Sequence, residues 1–462
     1  MNIPHRGEYL KYIWCNLDEK IIFASHPPTM DRRSFLNRSG MAIGASLVLP
    51  TIPPATAKNA ALDTWSGIRS QFRFTPGKIP MSQMLLASHP KWVSDAIEMH
   101  RTAFDANPVV YWEDNWIKLE KKARQSAAVY LNADPEEIVL TDSTTMGLAI
   151  LYTGFKLKEG DEILTTTHDH YVTEKGLEYA ALKNKATVKR IKLYEDPSVS
   201  TVDELVGRLV NGITAKTRMV AVTWVHSCTG MKLPIRDMAD AIKKVNTQRT
   251  SADRIYFCVD GVHGFGIENV TIEDLGCDFF SAGTHKWIFG PRGTGVLWGK
   301  KDSWDMVIPT IPAFSGMSYG MWLGNVPEGK INFSDLHTPG GFHSFEHRWA
   351  LNEAFDFHIK TGKAKIEERT HQLNTMLKEG LKEMKHVKLH TPVSTRLSAG
   401  INCFDVIGRK PEDVVNKLLA KNIVANTSPY RTSYARLTPC MINTEEEVKI
   451  CLSEIEKLKS WS

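Results

Sequence analysis

Lys286 lies in the run Cys277-Asp278-Phe279-Phe280-Ser281-Ala282-Gly283-Thr284-His285-Lys286-Trp287, which leads into Gly290-Pro291-Arg292-Gly293-Thr294-Gly295. An apolar stretch of strand type, then small residues, then a lysine before a glycine-rich turn presents an amine at a sheet edge. Partly desolvated there, a useful fraction of that amine is neutral and can form a Schiff base with an aldehyde. Upstream, Arg254-Ile255-Tyr256-Phe257-Cys258-Val259-Asp260-Gly261-Val262-His263-Gly264 is a β-branched and aromatic run. It delivers Asp260 at its C-terminal end, where α/β sheets place ligand-binding groups. An aspartate for a pyridinium nitrogen and a lysine for an aldehyde are the protein groups pyridoxal phosphate (PLP) needs most. The pair points to a PLP site.

Such a site needs a sheet to position it, and the chain supplies the pattern. Glu137 to Thr141, Asp161 to Thr167, Thr187 to Leu193, Arg218 to Val225 and Ile255 to Asp260 read as strands. Helical signals at Lys118 to Leu131, Thr144 to Phe155, Val202 to Val210 and Ile235 to Val245 fall between or beside them. Strands alternating with helices predict an α/β fold with a mainly parallel, doubly wound sheet. Past residue 330 the pattern changes to one long helix, Glu346 to Met384, and a smaller α+β domain ending in the helix Glu445 to Leu458. The expected organisation is a signal region over 1–57, an entry segment over 58–85, a large cofactor-binding domain over 86–330, and a long helix with a small C-terminal domain over 331–462. A cleft between two lobes is where a small ligand would bind.

With 462 residues, 42% of them apolar, the chain can bury a sizeable core. Lys plus Arg (57) barely exceeds Asp plus Glu (52), and the charges are interspersed, so nothing argues for a nucleic-acid partner. Seven cysteines stand at scattered positions (15, 228, 258, 277, 403, 440, 451) without paired metal spacing, several of them inside apolar runs.

Met30-Asp31-Arg32-Arg33-Ser34-Phe35-Leu36 resembles a twin-arginine export signal. A short apolar stretch, Met41 to Pro50, follows, and Ala55-Thr56-Ala57 offers small residues of the kind signal peptidase cuts after. The stretch is too short to span a bilayer, so no stable membrane anchor is expected after cleavage. The twin-arginine machinery carries folded proteins, which suits a cofactor loaded before export to the periplasm. Residues 1–29 are foreign to such a signal, which makes Met30 a candidate start.

Taken together, these motifs resemble those of class V aminotransferase-fold (fold-type I) PLP enzymes, of the isopenicillin N epimerase and cysteine desulfurase-like branch. The lysine signature with Gly293-Thr294-Gly295 carries the match most specifically, and the order of motifs agrees with it. Ser143, Thr144 and Thr145, in Thr141-Asp142-Ser143-Thr144-Thr145-Met146-Gly147, fall where that family has its phosphate loop; the same hydroxyls also suit simple N-capping. In Thr165-Thr166-Thr167-His168-Asp169-His170-Tyr171 the resemblance implies a ring stacked on the cofactor, best matched by His168, with His170 and Tyr171 as rivals. Two histidines around an aspartate also suit a metal, but no third ligand has convincing spacing and none is expected. Ser227, where many relatives carry asparagine, and His263 are implied to approach the cofactor's phenolic oxygen. Ser281, Thr284 and His285 are implied phosphate contacts. Arg436, with Arg431 as rival, is the implied clamp for a substrate carboxylate. Lys286 would release the cofactor aldehyde to the incoming amine and then move the α-proton.

Two departures from the family narrow the chemistry. Thr427-Ser428-Pro429-Tyr430-Arg431 has no cysteine where desulfurases carry the thiolate that receives sulfur as persulfide. Thr338-Pro339-Gly340-Gly341 replaces the Gly-Thr pair that in relatives reaches the phosphate of a neighbouring subunit, so Gly341 offers only a backbone N–H. The expected protein is a homodimeric PLP enzyme acting on an amino acid or amino-acid-like amine, by aminotransfer or epimerisation. Sulfur release from cysteine without an enzyme persulfide, and cofactor binding without turnover, are the alternatives. The segment Pro309 to Gly324, rich in aromatic residues and methionine, suits substrate selection, packing or a subunit contact.

Overall fold

A computed structural model describes residues 62–327 and 332–459. The twin-arginine motif, the apolar stretch after it and Ala55-Thr56-Ala57 lie outside the described residues. In chain order the strands are β1 (Ile79–Pro80), β2 (Ile138–Thr141), β3 (Glu162–Thr166), β4 (Thr187–Ile191), β5 (Thr217–Thr223), β6 (Tyr256–Asp260), β7 (Phe279–Gly283), β8 (Gly295–Gly299), β9 (Val387–Leu389), β10 (Asn402–Val406), β11 (Ile423–Val424), β12 (Asn426–Thr427) and β13 (Ala435–Leu437). Seven of them form one sheet in the order β2-β8-β7-β6-β5-β3-β4. All neighbours are parallel except β8, which runs antiparallel to both β2 and β7. The connection from Gly283 to Gly295 is too short for a helical crossover, so the chain returns as an antiparallel neighbour.

Alternate residues of the central strands go to opposite faces, and both faces are covered. Val220, Val222, Phe257, Val259 and Phe280 join one core with Met238, Ile242, Phe265 and Phe355. Met219, Ala221, Cys258 and Phe279 join the other with Leu148, Leu151, Tyr152 and Leu177. This two-sided burial makes these strands read as continuous apolar runs.

The C-terminal portion is a second, four-stranded antiparallel sheet, β12-β13-β10-β9. It packs through Phe404, Val406 and Leu437 against Leu373, Leu377 and Leu381 of the helix Lys363–Glu383 and Val448 and Ile455 of the helix Glu445–Glu456. A capping box between Thr444 and Glu447 starts that last helix. The entry segment belongs with this layer: β1 pairs in parallel with β11, and Met81 joins the same core. The long helix expected over Glu346 to Met384 is three helices, Phe345–Trp349, Leu351–Thr361 and Lys363–Glu383. Gly362, at φ +95°, interrupts the last two, a backbone conformation that a side chain would disfavour.

Candidate active site

Strands β2, β3, β5, β6 and β7 run in the same direction, so their C-terminal ends share one edge of the sheet. A cavity of about 160 Å³ opens there, lined by Ser143, Thr144, Thr145, His170, Thr223, Ser227, Asp260, His263, His285, Lys286 and Arg436, among others. The last of these comes from β13 of the smaller sheet, so both layers build the wall.

Asp260 ends β6, and the turn after it starts at Gly261, where a Cβ would overlap the Phe280 ring. One carboxylate oxygen accepts the Val262 N–H at 3.2 Å. Burial nevertheless dominates and pushes the carboxyl up to about 6, against the pull of that N–H and of Lys286. Lys286 is shifted the opposite way: burial lowers its amine to about 8, with Arg436 adding to the effect and Asp260 opposing it. Its Nζ lies 3.3 Å from His263 Nε2. His263 Nδ1 accepts the Trp287 indole N–H at 3.4 Å. A neutral His263 therefore carries its proton on Nε2, which can donate to the lone pair of a neutral Lys286. Burial holds His263 well below its ordinary value, so the neutral form is the relevant one.

At the other end of the cavity the helix Thr144–Gly154 begins. Ser143 Oγ accepts the Met146 N–H at 3.1 Å, and Thr144 Oγ1 accepts the Gly283 N–H at 2.7 Å. Capping and anion binding are thus compatible, because each hydroxyl keeps its own O–H to donate. His285 lines the same cavity, and its Nδ1 is buried without a hydrogen-bond partner among the described residues. Burial lowers this imidazole to about 4, aided by Lys286 and Arg292. A carboxylate, a partly neutral lysine, a helix start with free hydroxyls and an orphaned imidazole nitrogen fit a phosphorylated pyridine aldehyde.

Three of the residues expected at the cofactor lie elsewhere. Ser281 is fully buried within β7, its hydroxyl 3.4 Å from the Val296 carbonyl, because strand alternation turns it toward Gly147. Thr284 Oγ1 donates to the Thr294 carbonyl at 3.0 Å inside the turn. His168 stacks on Tyr194, ring centroids 3.8 Å apart and 10° from parallel, outside the cavity lining. The cause is Asp169, whose carboxylate accepts from Thr165 Oγ1 (3.1 Å), Thr166 N (3.0 Å), Thr166 Oγ1 (2.5 Å) and Thr223 N (2.6 Å). With Asp169 pinned inward, His170 faces the cavity and caps the helix Tyr171–Asn184, accepting the Val172 N–H at 3.3 Å. Tyr171 is 63% exposed, on the far side of that turn.

Arg436 donates from Nε to Asn426 Oδ1 (2.8 Å), from Nη1 to the Ser227 carbonyl (2.8 Å) and from Nη2 to the Thr427 carbonyl (2.7 Å). A guanidinium has five N–H groups, so one remains on each terminal nitrogen, enough for a two-pronged carboxylate contact. Arg431 is absent from the cavity lining. Ser227 Oγ bonds the Tyr430 hydroxyl at 2.7 Å. Sequence reasoning passed over two residues, Tyr430 and the pinning role of Asp169. Pro429-Tyr430 stood in the cysteine-free loop, and Asp169 between its histidines had suggested only a metal ligand.

Away from this cavity, Glu268, Glu367 and His371 bring potential metal-binding atoms within 4.8 Å of one another. Lys232 Nζ, 2.5 Å from Glu268, already supplies a cation there.

Residues 87–449 match the family described as Aminotransferase class-V. A probable cysteine desulfurase of Halalkalibacterium halodurans is 25% identical over 356 residues, 73% of this chain and 82% of the relative. An isopenicillin N epimerase of Amycolatopsis lactamdurans is 23% identical over 353 residues, 74% of this chain and 84% of the relative. Among solved structures, a C-DES variant with glycine covalently linked to its PLP cofactor aligns with TM-score 0.74 at 22% identity, covering 84% of this chain and 98% of that one. The cystine C-S lyase C-DES in complex with cysteine persulfide aligns with TM-score 0.73 at 22% identity, covering 82% and 98%. These likenesses establish the α/β fold with its mostly parallel sheet. On the family match, this chain belongs to the PLP-dependent class V aminotransferase family.

Proposed function

We propose that this protein acts at the α-carbon of an amino acid or similar amine, by aminotransfer or epimerisation, with Lys286 as the group that moves the α-proton. The supporting observation is Lys286 itself, buried in the same cavity as Asp260 with its amine lowered to about 8. PLP, when bound, supplies an aldehyde for amines and a ring that takes up electrons from a bond broken at the attached carbon. Asp260 would hold the ring nitrogen protonated, and the start of the helix Thr144–Gly154, with His285, would hold the phosphate. Ser227 and His263, both on the cavity lining, would reach the phenolic oxygen. Arg436 orients the substrate carboxylate with its two spare N–H groups. Lys286, neutral in a useful fraction near pH 8, accepts the α-proton and can return it.

A second reading is sulfur release from cysteine or cystine. The desulfurase relative and the C-S lyase C-DES favour it. Cys228, the one cysteine among the described residues that is not buried, has its thiol pushed up by partial burial. It is a poor thiolate at neutral pH, so such a reaction would release sulfur without an enzyme-bound persulfide. Offering the PLP-loaded protein single amino acids in deuterated water separates these readings. The α-carbon reading expects α-deuterium in the recovered amino acid or keto-acid release; sulfide from cysteine or cystine favours the second. Stable cofactor binding with none of these would leave only a binding protein. After borohydride reduction, the peptide containing Lys286 should carry the cofactor's mass, and label on any other lysine would sink the assignment.

The working unit proposed is a homodimer exported by the twin-arginine machinery to the periplasm. A larger cavity of about 470 Å³ supports the first part, lined by Trp112, Trp116, Phe314, Phe342 and the segment Thr338 to Gly341. Phe342, on its lining, is 81% exposed, aromatic surface of the kind a subunit contact covers. The second part rests on the Arg32-Arg33 motif, and export with cleavage after Ala57 is checked by the amino-terminal sequence of the mature protein.

A further inference from the structure

We propose that Trp287 is a positioning residue for Lys286, acting through His263: its indole N–H occupies Nδ1 of that ring, so that Nε2 faces the lysine amine as a donor and not as an acceptor. The proposal rests on the reading of Lys286 as the amine that meets the cofactor's aldehyde, and it holds whichever reaction follows.

The three side chains form a chain of contacts from the core to the cavity. Trp287 is buried, and its Nε1 donates to His263 Nδ1 at 3.4 Å. His263 Nε2 in turn lies 3.3 Å from Lys286 Nζ. His263 and Lys286 line the cavity, whereas Trp287 stays behind them in the core. Two glycines let the backbone come close to this tryptophan. A Cβ at Gly266 would lie 2.6 Å from its carbonyl carbon, and one at Gly400, two residues before β10, 3.0 Å from its ring. An indole nitrogen is a donor only, so the direction of its bond to His263 cannot reverse as that of a hydroxyl or an amide could.

That fixed direction decides what Nε2 offers the amine. A neutral imidazole has one donor and one acceptor nitrogen, and Nδ1 is taken as the acceptor. A lysine ammonium has three hydrogens and no lone pair, so it finds no acceptor at Nε2. The neutral amine has a lone pair and finds a donor there. Bonding to the neutral form disfavours the charged one. The opposite tautomer would accept from the ammonium and keep the proton on the lysine. The other groups around the amine are Asp260 from β6, which favours the ammonium, and Arg436 from β13, which opposes it. His170, in the loop after β3, and His285, next to the lysine in the chain, are both held below their ordinary values, chiefly by burial. These four leave the choice of His263 tautomer to the indole.

The test begins with the cofactor-free full chain carrying isotopically labelled histidine, the His263 signals being those lost in His263→Gln. Proton–nitrogen correlations should show hydrogen on Nε2 and a bare Nδ1, and hydrogen on Nδ1 overturns the proposal. The second readout is the pH midpoint of recombination with PLP, followed by absorbance. Trp287→Phe and benzothienylalanine at position 287 both remove the N–H, and the latter keeps the shape of the ring. Each should populate the other tautomer and raise the midpoint by about one unit, slowing recombination near pH 7 about tenfold. Should Trp287→Phe loosen the fold, seen as a lower melting temperature, the sulfur isostere decides alone. An unaltered tautomer or an unmoved midpoint in the isostere overturns the proposal. Failure of the underlying lysine reading would look different: borohydride would fix the cofactor on another lysine, while the His263 tautomer stayed as described.

Discussion

Asp260 and Lys286 are shifted in opposite directions by the same cause, burial in one cavity, and this has consequences before any cofactor binds. Asp260 titrates near 6 in the folded chain against 3.8 ordinarily, so the folded state holds its proton more tightly. A raised carboxyl contributes stability below pH about 4 that is lost as pH rises through about 6. Cofactor-free Asp260→Asn should therefore be the more stable protein at pH 7, by on the order of 2–3 kcal/mol, with the gap closing toward pH 4 in denaturant titrations. With PLP the order of merit reverses. Loss of the ring-nitrogen partner should lower kcat on the order of 10- to 1000-fold, the span of a one- to three-unit pKa change. The depressed amine of Lys286 makes a separate forecast. Recombination of cofactor-free protein with PLP should accelerate as pH rises and level off above about 8, where the amine is neutral.

Short elements set which side chains line the cavity. The loop after β3 is organised by the four bonds to Asp169, which send His168 to Tyr194 and His170 to the cavity. His170→Ala should weaken PLP binding about 2- to 10-fold, the worth of a lost ring-stacking contact, with little change in unfolding midpoint. His168→Ala should do the opposite, lowering thermal stability while leaving PLP affinity intact; equilibrium dialysis and a melting curve on both variants check this. The turn after β6 is as restrictive. A Cβ at Gly261 would occupy the Phe280 ring, so Gly261→Ala should cost about 1–3 kcal/mol, or more if the ring cannot yield, and shift Asp260 with it. Recovery of stability without PLP binding in a Gly261→Ala, Phe280→Leu double variant would show that overlap to be the reason.

At the scale of the molecule, two layers converge on one cavity while a larger hollow lies elsewhere. The floor is the edge of the seven-stranded sheet, and Arg436 and the Tyr430 loop arrive from the four-stranded one. The aromatic lining around Phe342 belongs to that second hollow and is the surface proposed for a subunit contact. The proposed dimer is tested there: the unaltered protein should scatter light as a dimer at micromolar concentration and Phe342→Glu as a monomer, since a carboxylate in an apolar contact is strongly disfavoured. An unchanged dimer would move the contact to another surface.

Lys286 and Asp260 were legible in the chain because both end apolar β-branched or aromatic runs, and a parallel sheet puts all such ends at one edge. The strand and helix alternation was legible for the same local reason, as was the helix start at Ser143. The break at Gly362 was within reach, since glycine alone takes its φ cheaply, although the apolar pattern ran across it. Which histidine faces the cavity was not legible. That choice hangs on Asp169 reaching the Thr223 N–H, 54 residues away in sequence. The same holds for Ser281, whose facing depends on strand register, and for Tyr430, whose partner Ser227 lies 203 residues upstream. Local periodicity and turn chemistry carry the elements and the placement of Lys286 and Asp260 at one sheet edge. Contacts between elements distant in the chain set the aim of the surrounding side chains, because their bonds form only once both sheets have folded together.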